Sequence, residues 1–189
     1  QFAQPAGLIY DAFNEATCVI PRFPIPSGWP CYVGHDFGGA NPAALFTAQD
    51  PATGYFYHFH EYKPGAGRSP SAGGRTEGRS TAEHVEEFKR ITAGHTVLQR
   101  VGGSHQEDEI RQGYTAHGWP IREPKLKAVE AQIDRVYALH KLNKVFVFRD
   151  LAHYLDEKLR YSWKLDDGYK PTNEIEDKAS FHLMDAERY

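Results

Sequence analysis

The order in which strand-like and helix-like segments follow one another constrains the fold of this chain more than any single motif. Three strand candidates come first, at 31–36, 43–48 and 55–62, and a Pro-Ala-Thr-Gly turn joins the last two. Segments with helical spacing of apolar residues then alternate with further strand candidates. Antiparallel strands followed by alternating helices and strands predict a mixed α/β sheet with helices on both faces.

Capping residues and apolar periodicity predict the elements that follow. Thr81 is expected to cap a helix with Val85 and Phe88 on its buried stripe, and Ser104 is a candidate cap for the next helix. The other predicted elements are strands at 96–101, 119–122 and 144–148, a helix carrying Leu126, Val129, Ile133 and Val136, a helix capped by Asp150, a hairpin turning at Asp167-Gly168, and a terminal helix at 181–189.

The chain has the length of one ordinary domain with a lead-in. Residues 1–30 contain several prolines around a few aromatic side chains, which predicts an extended segment laid over the domain formed by residues 31–189. The first residues resemble a linker, so we expect a piece of a longer protein. Residues 63–80 are rich in Gly and Ser and contain three arginines. They are predicted to form a mobile loop, acting either as a basic flap over a polyanion or as a solvated connector.

Charge and composition exclude some classes of function. A net charge of −3 argues against a surface that binds nucleic acid all over, so a polyanionic partner must meet a local basic patch. Acids gathered around a metal site would lower the net charge without opposing such a patch. The sequence has no membrane-span or signal pattern, which predicts a soluble protein. It also has no G-x-x-x-x-G-K-[ST] motif, so we expect no ATP hydrolysis.

Acidic and imidazole side chains at three separate places are candidates for one metal site. His182 and Asp185 are three residues apart and share a face of the predicted terminal helix. Asp36 ends the first predicted strand, and the acids at 107–109 follow the strand at 96–101. These strand ends are expected to be neighbours at the edge where α/β sheets place their sites. Taken singly, each acid also fits a turn or a helix N-terminus.

The chemistry suited to such a set is hydrolysis of a phosphodiester. Two divalent ions about 3.5–4 Å apart activate the water, stabilise the leaving oxygen and neutralise charge at phosphorus. Carboxylates suit Mg²⁺ or Mn²⁺ better than thiolates do. Asp36, Asp185 and an acid of the 107–109 cluster are the expected ligands, and His182 would bind a metal or position the water.

Several stretches resemble the C-terminal nuclease domain of tailed-bacteriophage terminase large subunits. They are residues 181–189, 32–38, 102–107, Tyr161 after Glu157, and 7–13, which is similar to the segment joining that domain to the packaging ATPase. The resemblance implies a ribonuclease H-like fold and metal-dependent cleavage of concatemeric double-stranded viral DNA during packaging. It also implies two Mg²⁺ or Mn²⁺ ions as cofactors, and a host-cytoplasmic location. The implied partners are double-stranded DNA, an N-terminal ATPase domain of the same protein, the small terminase subunit and the portal.

The resemblance extends to individual positions. Asp36 matches the first-strand metal acid of the family, Asp185 matches its terminal metal acid, and His182 matches a histidine found in part of the family. Many relatives carry the middle acid directly after a strand, where this chain has two glycines. Glu107 is therefore chosen over Asp108 as the middle ligand, because its longer side chain reaches back toward the metals.

The sequence also contains a small basic group that could contact DNA, and it leaves two alternative functions open. Arg122, Lys125 and Lys127 form a group suited to DNA phosphates, although a solvated helix face explains them equally well. One alternative function is a ribonuclease H-like nuclease that acts on hybrid or branched substrates. The other is a non-catalytic DNA-binding or assembly module with a degenerate metal site, which the glycines in place of the middle acid favour.

Overall fold

A computed structural model describes residues 6–38, 42–65 and 78–189. Most of the predicted basic loop, residues 66–77, lies outside these residues. The described elements, in chain order, are α1 (Glu15–Cys18), β1 (Val19–Ile20), β2 (Cys31–Asp36), β3 (Ala43–Gln49), β4 (Phe56–Tyr62), α2 (Thr81–Ile91), β5 (Val97–Gly102), α3 (Asp108–Ala116), α4 (Val129–Lys141), β6 (Val145–Phe148), α5 (Ala152–Arg160), β7 (Trp163–Leu165), β8 (Pro171–Ile175) and α6 (His182–Arg188). Single 3₁₀ turns lie at His105–Glu107 and Lys178–Ser180.

Six of the strands form one mixed sheet in the order β1-β6-β4-β3-β2-β5. Strands β2, β3 and β4 are antiparallel neighbours, whereas β5 runs parallel to β2 and β6 runs parallel to β4. Strands β7 and β8 form a separate antiparallel hairpin. The predicted mixed sheet, with antiparallel strands followed by parallel strands and a C-terminal hairpin, is therefore confirmed.

Helices cover both faces of this sheet, as its alternating side chains require. Val33 and Phe46 are paired across β2 and β3, and Phe46 packs on Phe88 of α2 with ring centroids 5.9 Å apart. The next pair along the strands, Gly34 and Leu45, faces the opposite side because neighbouring strand residues alternate between faces. Helix α6 packs on that opposite side, against β2 and β3.

The described part of the lead-in takes part in the core. Strand β1 pairs in parallel with β6, and Val19 is the register partner of Val147. Tyr10 is completely buried and stacks on Tyr161, with ring centroids 5.6 Å apart. The division into a lead-in at 1–30 and a domain at 31–189 stays a prediction.

Four local predictions were wrong. Leu126, predicted on the helix that carries Ile133, lies before α4, which begins at Val129. Ser80, not Thr81, caps α2 in a reciprocal capping box with Glu83. Asp150 does not cap α5 but pairs with Arg22, with 2.7 Å between Arg22 Nε and Asp150 Oδ2. The predicted strand at 119–122 is reduced to one bridge, in which Arg122 pairs with Val101 of β5.

The N-terminus of α5 is capped by a side chain from another element, which is distant in sequence and could not be predicted from the residues around the helix. The carboxylate of Glu61 on β4 accepts hydrogen bonds from the backbone N–H groups of His153 at 3.0 Å and Tyr154 at 2.6 Å.

No helix within the described ranges is both long and apolar enough to cross a bilayer.

Candidate metal centre

The candidate site lies where the end of β2 meets α6. Close approach of the two elements depends on Gly34, because a Cβ atom there would stand 1.9 Å from the backbone oxygen of Ala186. With hydrogen at this position, α6 can lie directly against β2. The strand ends two residues later at Asp36, and α6 begins at His182. The sheet end and the first turn of the helix are therefore brought together.

Asp36 and His182 are in direct contact. Asp36 Oδ2 lies 2.6 Å from His182 Nδ1, and the Asp36 side chain is largely buried. The hydrogen bond that His182 donates to the Asp36 carboxylate raises the pKa of His182, and burial of the ring opposes that rise. A charged or proton-donating imidazole is thus favoured beside this carboxylate. Gly38 leaves room for the pair, since a Cβ there would lie 2.9 Å from the His182 ring.

Asp185 is the second carboxylate of the site, one turn after His182. The pKa of Asp185 is raised to about 6, mainly by burial; the nearby guanidinium of Arg188 opposes the rise, and the charge of Asp36 adds to it. Arg188 Nη2 forms an ion pair with Asp185 Oδ1 at 3.0 Å, without a hydrogen bond between them. Within the described residues, that buried oxygen accepts no hydrogen bond. It is a carboxylate oxygen suited to a cation.

A stability measurement checks the state of Asp185. Its pKa is about 6 in the folded chain against an ordinary 3.8, so the folded state disfavours the charged form. The penalty is fully present above pH 6 and disappears below pH 4. We expect Asp185→Asn, which mimics the neutral acid, to stabilise the metal-free protein at pH 7 by on the order of 2 kcal/mol. Chemical denaturation of wild type and variant at pH 4–8 measures this.

The same measurement has an internal control. The advantage of Asp185→Asn should vanish as the pH falls to 4, and Mn²⁺ should reduce it at pH 7 by stabilising only the wild type. Equal stability of the two proteins at pH 7 without metal would contradict the raised pKa.

The predicted middle acids lie beside the site without entering it. Glu107 Oε2 accepts the backbone N–H of Ser104 at 2.5 Å, at the start of the turn before α3. Asp108 instead contacts Arg111 and Gln112 on its own helix, at 3.4 and 3.1 Å. The structure therefore brings neither acid into the Asp36 pair.

Tyr189 follows α6 directly and is half-buried. Burial raises the pKa of Tyr189 to about 12, the guanidinium of Arg188 opposes the rise, and the charges of Asp185, Asp36 and Glu107 add to it. Its place in the terminal motif was the one feature of the sequence that could have pointed to this tyrosine.

A buried polar network below α6 was missed by the sequence analysis. Glu187 is deeply buried, and its carboxylate lies 2.5 Å from Lys158 Nζ, 2.5 Å from the Tyr154 hydroxyl and 3.1 Å from His58 Nε2. Burial alone would raise the pKa of Glu187, but Lys158 and the imidazoles outweigh it and hold that pKa well below its usual range. In the sequence, the one indication of this network was that Glu187 and Lys158 occupy positions on predicted helices that face the core.

The basic group lies at the end of β5. Arg122 donates its backbone N–H to Arg100 at 2.8 Å and accepts one from Gly102 at 3.0 Å, which fixes it beside that strand end. Its side chain and that of Lys125 are exposed, and Lys127 Nζ pairs with Glu123 at 3.1 Å. Their role in binding DNA stays a prediction.

The donor set fits a hard divalent cation in part. Mg²⁺ is usually held by one or two carboxylates, with waters and substrate phosphates completing its shell. Asp36 and the unsatisfied oxygen of Asp185 supply such a pair. Across the segments that the structure covers, no group of three or more His, Cys, Asp or Glu side chains forms a complete metal cage. Additional ligands must therefore come from water, substrate or a moved side chain.

Comparison with known proteins shows the fold. No protein-family model and no curated protein matches the chain. Among solved structures, the large terminase of a thermophilic bacteriophage is similar to the whole chain, with a TM-score of 0.74 and 18% identity. The chain spans 45% of that protein. The nuclease domain of the P22 large terminase is similar over 99% of this chain and 92% of its own length, with a TM-score of 0.67 and 18% identity.

Two further neighbours are described with metals. The large terminase nuclease from thermophilic phage G20c, solved with bound magnesium, matches 97% of this chain and 96% of its own length, with a TM-score of 0.63 and 13% identity. The nuclease domain of the SPP1 large terminase was solved with bound manganese. The chain thus has the ribonuclease H-like fold of terminase nuclease domains, which confirms the predicted fold class.

Proposed function

We propose that this chain is the nuclease domain of a bacteriophage large terminase, which cuts double-stranded viral DNA with the help of divalent metal ions. The observation that carries this proposal is the meeting of Asp36, at the end of β2, with His182 and Asp185 on α6. Neighbours with the same fold are terminase nucleases, some with bound manganese or magnesium. The carboxylates of Asp36 and Asp185 are suitable metal ligands, and proteins with the same fold have been solved with bound metal ions.

Each residue of the candidate site has a proposed role in phosphodiester hydrolysis. Asp36 and Asp185 would hold the cations, and Glu107, the proposed middle ligand, would have to leave its hydrogen bond with the Ser104 N–H to reach them. When bound, two Mg²⁺ or Mn²⁺ ions would activate water and neutralise the charge at phosphorus. His182 is held by Asp36 through Nδ1. In the neutral tautomer that donates its Nδ1–H to Asp36, the Nε2 atom would be free to take a proton from the attacking water or to bind a metal ion.

Cleavage of plasmid DNA tests this function. We expect the protein to nick and linearise supercoiled plasmid with Mn²⁺ or Mg²⁺, and to leave it intact with a chelator in place of metal. ATP should neither be hydrolysed nor be required. Failure to cut plasmid at every metal concentration would overturn the proposal.

Two alternatives are decided by substrate preference in this assay and by metal binding in a crystal. Strong preference for RNA–DNA hybrids or branched DNA over plain duplex would assign the site to a different substrate. The absence of a complete three-ligand cage among the described residues favours a degenerate DNA-binding or assembly module. A crystal soaked in Mn²⁺ that shows at most one weakly held ion, with no cutting, would establish that reading. Two strongly bound ions, with Glu107 or Asp108 as a ligand, would exclude it.

The basic group makes a separate prediction about DNA binding. The double variant Arg122→Ala/Lys125→Ala removes two exposed cations that lie near the end of β5. We expect it to weaken duplex binding for all sequences and to reduce the slope of log affinity against log salt by about 2. Fluorescence anisotropy at several salt concentrations measures both quantities. Lys141→Ala, an exposed lysine at the end of α4, is the matched control, and an equal effect there would contradict the assignment.

The proposed partners follow from the proposed function. A solved structure that spans this chain and continues beyond it is a large terminase, and the same protein was also solved in complex with ADP. We therefore propose that an ATPase domain of the same protein precedes this domain, and that the assembled motor contacts the small subunit and the portal in the host cytoplasm.

A further inference from the structure

The geometry points to Glu157 and Lys158, consecutive residues of α5, as a clamp that positions the metal-binding helix α6. This inference rests on the proposed function, because it concerns how His182 and Asp185 are held for the metal. Both clamp residues are almost completely buried. Neither side chain reaches the site itself, so they are positioning residues rather than catalytic residues.

Glu157 holds the first turn of α6. Its Oε2 accepts the backbone N–H of Leu183 at 2.8 Å and of Met184 at 3.2 Å. Its Oε1 lies 2.5 Å from Lys63 Nζ, which supplies the opposite charge at the end of β4. The two N–H groups belong to the residues between His182 and Asp185. A shift of the Glu157 carboxylate therefore moves both site residues together.

Lys158 holds α6 one turn further along. Its ammonium lies over the Tyr10 ring at 3.7 Å and pairs with the Glu187 carboxylate at 2.5 Å. Removing either partner would leave a buried charge without a counter-charge, so this contact resists sliding of the helix. Contacts at 183–184 and at 187 fix α6 both along its axis and in rotation about it.

A helix as short as α6 needs such anchors. It has seven residues, and isolated helices of that length do not persist in water. Its first turn also lacks a side-chain cap from within the helix, since Phe181 occupies the N-cap position. Glu157 supplies from α5 the acceptor that a local cap normally provides. The placement of the candidate metal acids thus depends on a residue of another helix.

Amide exchange in the metal-free protein tests the clamp independently of catalysis. We expect Glu157→Ala to speed hydrogen exchange at the Leu183 and Met184 amides by at least about tenfold, because their acceptor is removed. Asp156→Ala is the matched control, since Asp156 is the preceding acid of α5 and pairs with Arg160 on the surface. It should leave both amides unchanged. Unchanged exchange in Glu157→Ala would overturn the clamp.

Metal dependence supplies the second readout. We expect Glu157→Ala to raise the Mn²⁺ concentration for half-maximal cleavage by about tenfold, with most of the rate recovered at saturating Mn²⁺. Glu157→Gln keeps one carbonyl acceptor for the two amides and should fall between wild type and Glu157→Ala. A uniform loss of rate at all Mn²⁺ concentrations, with native exchange, would contradict a positioning role.

The outcomes separate the clamp from the proposed nuclease function. If wild type does not cut DNA, the proposed function fails, while the exchange data still decide whether the clamp exists. If Glu157→Ala does not fold, Glu157→Gln carries the same two measurements, because it keeps only one carbonyl oxygen as an acceptor and loses the charge that pairs with Lys63. Wild-type exchange and Mn²⁺ dependence in Glu157→Gln would then overturn the clamp.

Discussion

Asp36→Asn and Asp185→Asn are each expected to lower metal-dependent DNA cleavage by at least about a hundredfold, since loss of even an outer partner of a metal site costs about 10–100-fold. Asparagine keeps the volume of the side chain but removes the negative charge that holds a divalent cation. For Asp185 the loss of activity should accompany a gain in metal-free stability. Lower activity together with higher stability would show that the charge of Asp185 serves metal binding and not folding.

Initial rates of plasmid nicking across a Mn²⁺ series measure this effect, together with calorimetric titration of Mn²⁺. Asp156→Asn, an exposed acid of α5, serves as the control and should cut at the wild-type rate. Glu107→Gln and Asp108→Asn extend the series to the middle ligand, and we expect only Glu107→Gln to impair cleavage. Full activity in both Asp36→Asn and Asp185→Asn would refute the metal-centre assignment.

Gly34→Ala is expected to destabilise the protein by about 3 kcal/mol or more and to abolish cleavage as well. The added Cβ would stand 1.9 Å from the Ala186 oxygen and 2.8 Å from its carbonyl carbon. Backbone atoms cannot rotate away as a side chain can, so α6 must lift from β2. The lift separates His182 and Asp185 from Asp36.

Urea denaturation followed by circular dichroism measures the loss of stability, and the plasmid assay measures the loss of cleavage. Gly113→Ala is the matched control, because a Cβ at that position in α3 meets nothing within 4 Å. It should be neutral or stabilising, as alanine favours helices over glycine. A Gly34→Ala protein with wild-type stability would show that α6 is not seated as described.

Elements whose apolar pattern is local were predictable from the sequence. Strand β2 was predicted with its observed bounds, and β6 and α2 were predicted to within about a residue, because alternation and helical periodicity are properties of neighbouring residues. The mixed sheet followed from the order of these elements. The caps were less predictable, because Ser80 and Thr81 are chemically similar neighbours and only the backbone distinguishes them.

The candidate site was predictable as a set of residue types but only partly as geometry. The pairing of Asp36 with His182 spans most of the chain and depends on α6 lying against β2, which a sequence pattern does not encode. The choice between Glu107 and Asp108 also stays a prediction. Both acids follow the same strand, and the turn before α3 directs them to different partners.

Local chemistry therefore specified which segments become strands and helices, and which acids and histidine are available for a metal. Packing of distant elements decided where those groups meet. Gly34 allows two backbones to touch, and Glu157 and Lys158 are charges buried far from the site that nonetheless set the position of α6. Periodicity and residue type are carried by neighbours in sequence. Contact between strand β2 and a helix nearly 150 residues later arises only when the core is assembled.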